Sequence, residues 1–394
     1  MATPQRVRPA ARRAPSRPAL AVALRALSIA AVAASLLSGI AGGLLRVGVV
    51  LPSTDDAPWL AQAGMQHAAL MICGFLGTVI GIERAVAVKR RLAFAAPLAS
   101  ALGGVCLLLG RVGPGARLML LAGLVFVAVN GVVVARQRAA HTWLLLVAAL
   151  AWLCGCALFA LQGGQGDAVA AALPWWFAFL VITIAAERLE MTRLMRRGPA
   201  MQALLGGVVL LMLAGAAWST WLSAWSPAVG GLLFGASLSL LAAWLAVFDI
   251  ARRTVFARGL SRYMAVCLLG GYAWLAVAGA AWAGSAYGLP LRDAALHALG
   301  LGFIVSMMMG HAPVILPAVA RVKLQFGALF YLPLLILHGS LALRLGAGLA
   351  DVAMRAVGAV GNAAAIAAFV LTVIGAAFVW QFHHGASRAA EVIR

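Results

Sequence analysis

Twelve apolar runs, each about as long as a helix needs to cross a bilayer, follow one another along this chain with only short polar breaks between them. They lie at approximately 21–45, 61–83, 93–110, 116–135, 141–161, 168–189, 201–222, 227–249, 263–284, 291–312, 326–344 and 358–382. A spanning helix uses about 20 residues at 1.5 Å of rise each. The runs therefore consume most of the 394 residues and leave loops and two small tails. Only 10% of the residues are charged, against about a quarter in a water-soluble domain. The expected fold class is an all-α integral membrane bundle of about twelve transmembrane helices. It comprises a basic N-terminal tail at 1–20, the bundle at 21–382 and a short cytoplasmic tail at 383–394. No catalytic domain is expected outside the bilayer.

A net charge of +20 would suggest nucleic acid in a soluble protein, but its distribution points to a membrane. The Arg-rich start (Arg6, Arg8, Arg12, Arg13, Arg17) precedes a first run too long for a signal-peptide core, so that run is expected to be retained as a helix. The tail before it is rich in Pro and Arg, a composition that stays disordered and is attracted to anionic headgroups. With the N-terminus inside, the inner loops hold Arg84, Lys89, Arg90 and Arg91; Arg136 and Arg138; Arg188, Arg193, Arg196 and Arg197; Arg252, Arg253, Arg258 and Arg262; Arg321 and Lys323; and Arg388 and Arg394. Only Arg46, Arg111, Arg117, Arg292, Arg344 and Arg355 fall outside, a ratio of 24 to 6 once the N-terminal six are counted. That asymmetry is the positive-inside signal of a chain with both termini in the cytoplasm. The expected location is the cytoplasmic membrane of a bacterium, with the lipid bilayer as main partner and no nucleic acid.

The five Cys (Cys73, Cys106, Cys154, Cys156, Cys267) all lie in apolar runs and are expected to act as small hydrophobes without a disulfide framework. Glycine pairs four apart, Gly77 with Gly81 and Gly231 with Gly235, suit close helix packing. A weak repeat also shows. The second helix ends in Glu83-Arg84 and the sixth in Glu187-Arg188, about 104 residues later, while the tenth ends at Gly310-His311. Helices two, six and ten thus share a polar inner end, a four-helix period consistent with a pseudo-threefold bundle. Glu-Arg pairs are also common at helix ends with no repeat behind them.

Histidines carry the chemistry. A polar side chain in lipid is costly and faces the protein interior, so each one within a span is a functional candidate. His67 and His297 each lie about six residues into their helices from the outer side, and His338 about six residues from the outer end of helix eleven at Arg344. At 1.5 Å per residue, all three sit roughly 9 Å below the outer surface. Three imidazoles at one depth are a ligand set for haem, copper or both. A buried His can equally serve by bonding a carbonyl of a neighbouring helix. Small residues (Gly74, Thr78, Gly81 beside His67; Gly300 and Gly302 beside His297) leave room for a flat cofactor, or simply for helix packing. His311, about 21 Å along the helix from His297, belongs instead with Glu83 and Glu187 as a polar cluster on the inner side, serving as a helix-end cap or a proton relay.

The segment His297-Ala298-Leu299-Gly300-Leu301-Gly302, followed by Met307-Met308-Met309-Gly310-His311-Ala312-Pro313, resembles the helix-ten region of NnrS-like membrane proteins. Helix two is similar to the corresponding NnrS segment through Gln66-His67-Ala68-Ala69-Leu70-Met71 and Gly74-Phe75-Leu76. Those are twelve-helix haem- and copper-containing proteins linked to the nitric-oxide response and remotely related to haem–copper oxidase subunit I. The resemblance implies b-type haem with His67 and His297 as axial ligands, His338 as a further haem or copper ligand, and a redox partner. It covers the helix count and two helices. The oxidase pattern is broken elsewhere: Leu299 stands where a second helix-ten His would be, and helices six and seven hold no His. An oxygen-reducing binuclear site is therefore not implied.

Two other functions fit the same helix count. A secondary transporter would share the repeats and the Pro- and Gly-interrupted spans, although the carboxylates Glu83, Glu187 and Glu190 lie at inner ends rather than mid-span. An assembly factor would need no chemistry of its own. The chain carries no nucleotide-binding loop, Ser/His/Asp arrangement or soluble metal motif.

Overall fold

A computed structural model describes residues 17–51, 57–164, 166–191, 198–320 and 322–392. Most of the expected basic tail, together with Arg193, Arg196, Arg197, Arg321 and Arg394, lies outside the described residues. The described residues form helices and no strand, and twelve of the helices are long and apolar enough to cross a membrane. These are α1 (Ile29–Arg46), α2 (His67–Val88), α3 (Arg91–Leu108), α4 (Val112–Arg136), α5 (Ala140–Leu161), α6 (Asp167–Met191), α7 (Pro199–Leu222), α8 (Pro227–Phe248), α9 (Leu260–Ala286), α10 (Arg292–Ala318), α11 (Ala328–Leu349) and α12 (Val352–Phe382). Each overlaps one expected apolar run, with ends that differ by up to eight residues, as where α1 begins at Ile29 rather than at 21 and α2 at His67 rather than at 61. The helix containing α1 starts at Arg17, and the last helix runs on to Val392. No proline interrupts the chain after Phe382, so nothing stops the helix where a tail was expected.

Local chemistry sets the breaks. Lys89 takes a left-handed conformation (φ 56°) that ends α2, and extended Arg90 starts the turn into α3. Pro199 and Pro227 open α7 and α8, where a missing N–H costs nothing because the first helical turn has no partner for it. Consecutive helices pack against each other, and α12 returns to touch α1.

Burial divides the helices into two kinds. In α2 and α10, 56% of the spanning window is buried, and in α6 78%, the highest values of the twelve; α1 and α12 bury only 22%. The three helices with polar inner ends are thus the three most enclosed by protein. The core of α6 is aromatic. Phe179 stacks on Trp152 of α5 with centroids 5.0 Å apart, and Phe126 of α4 meets both rings edge-on, the geometry the ring quadrupole favours.

Two of these inner helices are not regular. α2 contains a π-helical stretch, Leu70–Gly77, and α10 another, Ala298–Val305. Both follow directly on a histidine turn. Of the two expected glycine seams, the one on α8 brings backbones together. On α8, Gly235 lies so close to α9 that a Cβ there would come within 2.6 Å of the Gly279 carbonyl and 2.7 Å of the Ala283 nitrogen. Backbone cannot step aside, so Gly235→Ala is expected to lower stability by about 1–3 kcal/mol. Gly206→Ala on α7, which meets nothing within 4 Å, should be neutral or gain up to about 1 kcal/mol of helix propensity. Thermal unfolding in detergent compares the two.

Candidate functional site

His67 sits where a short helix, Pro58–Met65, ends and α2 begins; Gln66 between them leaves helical geometry (φ −100°, ψ 14°). His297 lies in the second turn of α10, immediately before its π stretch. The two rings face one another with centroids 6.4 Å apart and planes inclined by 27°. His67 Nδ1 is 2.7 Å from the carbonyl of Gly39 on α1, and His297 Nδ1 is 3.0 Å from the carbonyl of Asp293. A carbonyl only accepts, so in both rings Nδ1 carries the proton and Nε2 keeps its lone pair. Bonding a neighbouring carbonyl and offering a ligand nitrogen are therefore compatible at His67.

His338 behaves differently. Trp274 of α9 donates its indole N–H to His338 Nδ1 at 2.7 Å, with the rings coplanar to within 5°. Its Nδ1 lone pair is taken, which puts the proton on Nε2 and leaves no free nitrogen to ligate. It turns to α9 and does not line the cavity that His67 and His297 share. The expected convergence of three imidazoles is thus not found. Among the described residues no group of three or more His, Cys, Asp or Glu side chains could hold a metal ion. The physical reason is that a similar distance from the helix ends does not fix the direction of a side chain, and Trp274 captures the third.

The shared cavity, about 140 Å³, is walled by α1, α2, α6, α10, α11 and α12, with Met71, Phe177 and Gly300 beside the rings. Gly43 of α1 packs so tightly on His67 that a Cβ would lie 2.8 Å from its Cε1. Two polar groups join the wall, Arg344 and Asn362. Arg344 is 6% exposed and holds Asp293 through two bonds of 2.8 and 3.0 Å. Its Nη2 is almost equidistant, at 3.2 and 3.3 Å, from the two ring nitrogens of His297. A donor on one lone-pair axis would be much farther from the other nitrogen, so the guanidinium lies over the face of the ring. Arginine's planar cation stacks this way readily. Asp293 Oδ1 also lies 3.0 Å from His297 Nδ1, which fixes the ring from a second side.

At the opposite end of these helices, the cluster expected on the inner side comes together across α2, α6, α10 and the residue after α8. Arg84 donates to Glu187 at 2.8 Å and lies 3.9 Å from Glu83, so the two Glu-Arg repeats interlock. Arg188 turns the other way, donating to both oxygens of Asp249 at 2.8 and 2.9 Å. His311 Nε2 is 3.4 Å from the same guanidinium, and its Nδ1 lies 2.7 Å from the Met307 carbonyl.

Residues 25–378 match a family model described as a domain of unknown function, DUF8744. The chain belongs to the DUF8744 family. A search of curated proteins found no match. The family match spans every helix that builds the two polar sites of this DUF8744 chain, and all of their side chains named above lie within it.

Sequence reasoning overlooked Asp293, Arg344, Asp249 and the π stretches. Asp293 stands four residues before His297, and the chain has only ten acidic residues in all, so a carboxylate one turn from a membrane histidine was a usable signal. The π stretches left none. Arg188 and Asp249 are each 2% exposed, and removing Asp249 takes away the buried carboxylate that Arg188 donates to at 2.8 and 2.9 Å. Asp249→Ala is expected to destabilise the protein by about 3–5 kcal/mol, and the double replacement Arg188→Leu with Asp249→Leu by clearly less. Thermal melts of the three purified proteins read the difference.

Proposed function

We propose that this DUF8744 protein is a twelve-helix redox protein of a bacterial cytoplasmic membrane, with both termini inside. In this reading it binds b-type haem between His67 and His297, in a role of the nitric-oxide-response kind that its likeness to NnrS proteins implies. One observation carries this reading: two imidazoles, each held at Nδ1 by a backbone carbonyl, lie on one cavity with their ring centres 6.4 Å apart. Imidazoles bound to one metal at about 2.0–2.1 Å each place their ring centres roughly 6 Å apart, and the observed separation is 6.4 Å. The Nδ1 protons are held by backbone carbonyls of Gly39 and Asp293, the usual way a protein fixes the tautomer and aim of a ligand histidine.

Haem bound there supplies one-electron chemistry. The chain's own residues do the rest. Met71 and Phe177 keep the wall apolar and exclude water. Gly300 leaves the approach to His297 open, its nearest neighbour for a Cβ being Phe177 at 4.0 Å. Arg344 brings a buried positive charge to the cavity edge, half-neutralised by Asp293, a place where a carboxylate of an amphipathic cofactor is welcome. Copper has less support, because it favours more ligands than this pair offers. The enclosed trio α2, α6 and α10 suits a pseudo-threefold bundle with the site on its outer side.

Purified protein is expected to be red, with a pyridine haemochrome of the b type and a Soret band that His67→Ala or His297→Ala abolishes, whereas His338→Ala, which removes only the acceptor of the Trp274 N–H, weakens it without abolishing it. A folded but colourless protein would overturn the proposal. It would leave the same cavity, with Asn362 and Arg344 on its wall, as the solute site of a permease. Orientation is tested separately: alkaline phosphatase joined after Arg111 or Tyr287 should be active, and joined after Arg138 or Arg253 inactive. The opposite pattern would reverse the topology.

A further inference from the structure

Two eight-residue π stretches are an unusual pair of features in one chain, since π geometry is rare and occurs mostly as isolated single turns, frequently at functional sites. Here they fall on α2 and α10, the two helices that carry the facing histidines. His67 lies three residues before Leu70–Gly77, and His297 immediately before Ala298–Val305. A third, shorter stretch, Trp218–Leu222, closes α7 and has no histidine beside it. A π turn holds more residues than an α turn, so it rotates everything on one side of it relative to everything on the other. The inner halves of α2 and α10 are held elsewhere, by Arg84 with Glu187 and by His311 beside Arg188. The direction in which each histidine points is therefore set by the winding of the stretch between it and that anchor.

A second observation is independent of the first. Each stretch carries a glycine on which an indole from a neighbouring helix rests. Gly77 lies under Trp152 of α5, where a Cβ would come within 2.6 Å of the ring. Gly302 lies under Trp274 of α9, where a Cβ would overlap the ring outright. Neither indole is free to withdraw. Trp152 is fully buried and donates to Cys73 Sγ at 3.4 Å, and Trp274 donates to His338 Nδ1 at 2.7 Å. This gives His338 a role on the page that does not involve ligation: it holds the indole that sits on the π stretch of α10.

We infer that the two π stretches are register devices, each locked by a tryptophan seated on a glycine, and that together they bring His67 and His297 face to face. Trp152 with Gly77 and Trp274 with Gly302 are positioning residues. They act on the histidines through the winding of the helix and touch neither ring. The inference deepens the haem proposal, yet the geometry it explains exists without any cofactor, so the two stand or fall by different measurements.

The test uses the full chain with Cys106, Cys154, Cys156 and Cys267 replaced by Ala, the fully buried Cys73 kept as the partner of Trp152, and with His67→Cys and His297→Cys, cross-linked by a short bifunctional methanethiosulfonate and read by mass spectrometry. The histidine-containing chain is scored in parallel for its Soret band. Gly302→Ala is expected to lower cross-link yield about tenfold, since displacements near 1 Å disable such sites. Adding Trp274→Gly to Gly302→Ala should bring the yield back to that of Trp274→Gly alone, because the atoms nearest the new Cβ, Trp274 Cγ and Cβ at 2.4 and 2.5 Å, leave with the side chain. Trp274→Leu by itself, which creates no overlap and so reports even if Gly302→Ala fails to accumulate, should lower the yield several-fold relative to the parent. Gly375→Ala, which meets nothing within 4 Å, is the control and should cross-link as the parent does. An unchanged yield in Trp274→Leu, or a folded double variant that cross-links below Trp274→Gly alone, overturns the inference. A colourless wild type whose cysteine pair still cross-links in this pattern refutes the haem reading and leaves the register device standing. A Soret band indifferent to Trp274 does the reverse.

Discussion

A bilayer offers no hydrogen bonds, and every polar group that enters it must bring or find a partner within the protein. Twelve helices long and apolar enough to cross a membrane suit that constraint. It favours a helical backbone and few polar residues within such helices. It also drives those few into the spaces among α2, α6 and α10, the helices most enclosed by others. What they find there differs at the two ends. At the inner end, opposite charges meet directly, as in Arg84 with Glu187 and Arg188 with Asp249. At the outer end, one ion pair, Arg344 with Asp293, stands beside two neutral imidazoles whose protons go to carbonyls.

That difference separates structure from chemistry. Arg188 and Asp249 satisfy each other through two parallel bonds, and the carboxylate also accepts the Ala251 N–H at 2.7 Å. Little donor or acceptor capacity is left over, so the cluster ties helices together. The imidazoles bond carbonyls at Nδ1, and His297 Nε2 has the Arg344 guanidinium 3.2 Å away. An imidazole on the wall of a cavity costs free energy that an apolar side chain would not, and the cost is borne at two neighbouring positions. Paired capacity of that kind is expected where something is bound.

Much of this was legible from residues, and the rest was not, for definite reasons. Twelve spans could be counted because apolar length is a property of consecutive residues. The four-helix period of Glu83, Glu187 and His311 could be seen because a helix end is a sequence position. The depth of the three histidines followed from a fixed rise per residue. Direction did not, because it depends on how the helix is wound between one residue and the next, and here the winding changes within Leu70–Gly77 and Ala298–Val305. An α-helical wheel drawn through either stretch points the wrong way beyond it. His338 lies on a regular helix, but what it meets is decided by Trp274, about 64 residues away in sequence. Asp293 was within reach, one turn from His297, and needed only the question of what orients a membrane histidine.

The glycines of α2 and α10 show why composition alone misleads in such a bundle. Gly77 and Gly302 look like the small residues that let two helices approach, and in a sense they are, but what approaches is an indole rather than a backbone. A helix seam would tolerate sliding by a residue. An indole seated on one glycine, with its N–H committed to Cys73 or His338, does not. Close packing of this kind has discrete solutions, and a discrete solution is what two rings need if they are to meet at a fixed separation from opposite helices. The small residues beside the histidines therefore serve the site less by making room for a ligand than by making room for the wedge that aims the histidine. Only Gly300, with open space before it, is left to serve the ligand itself.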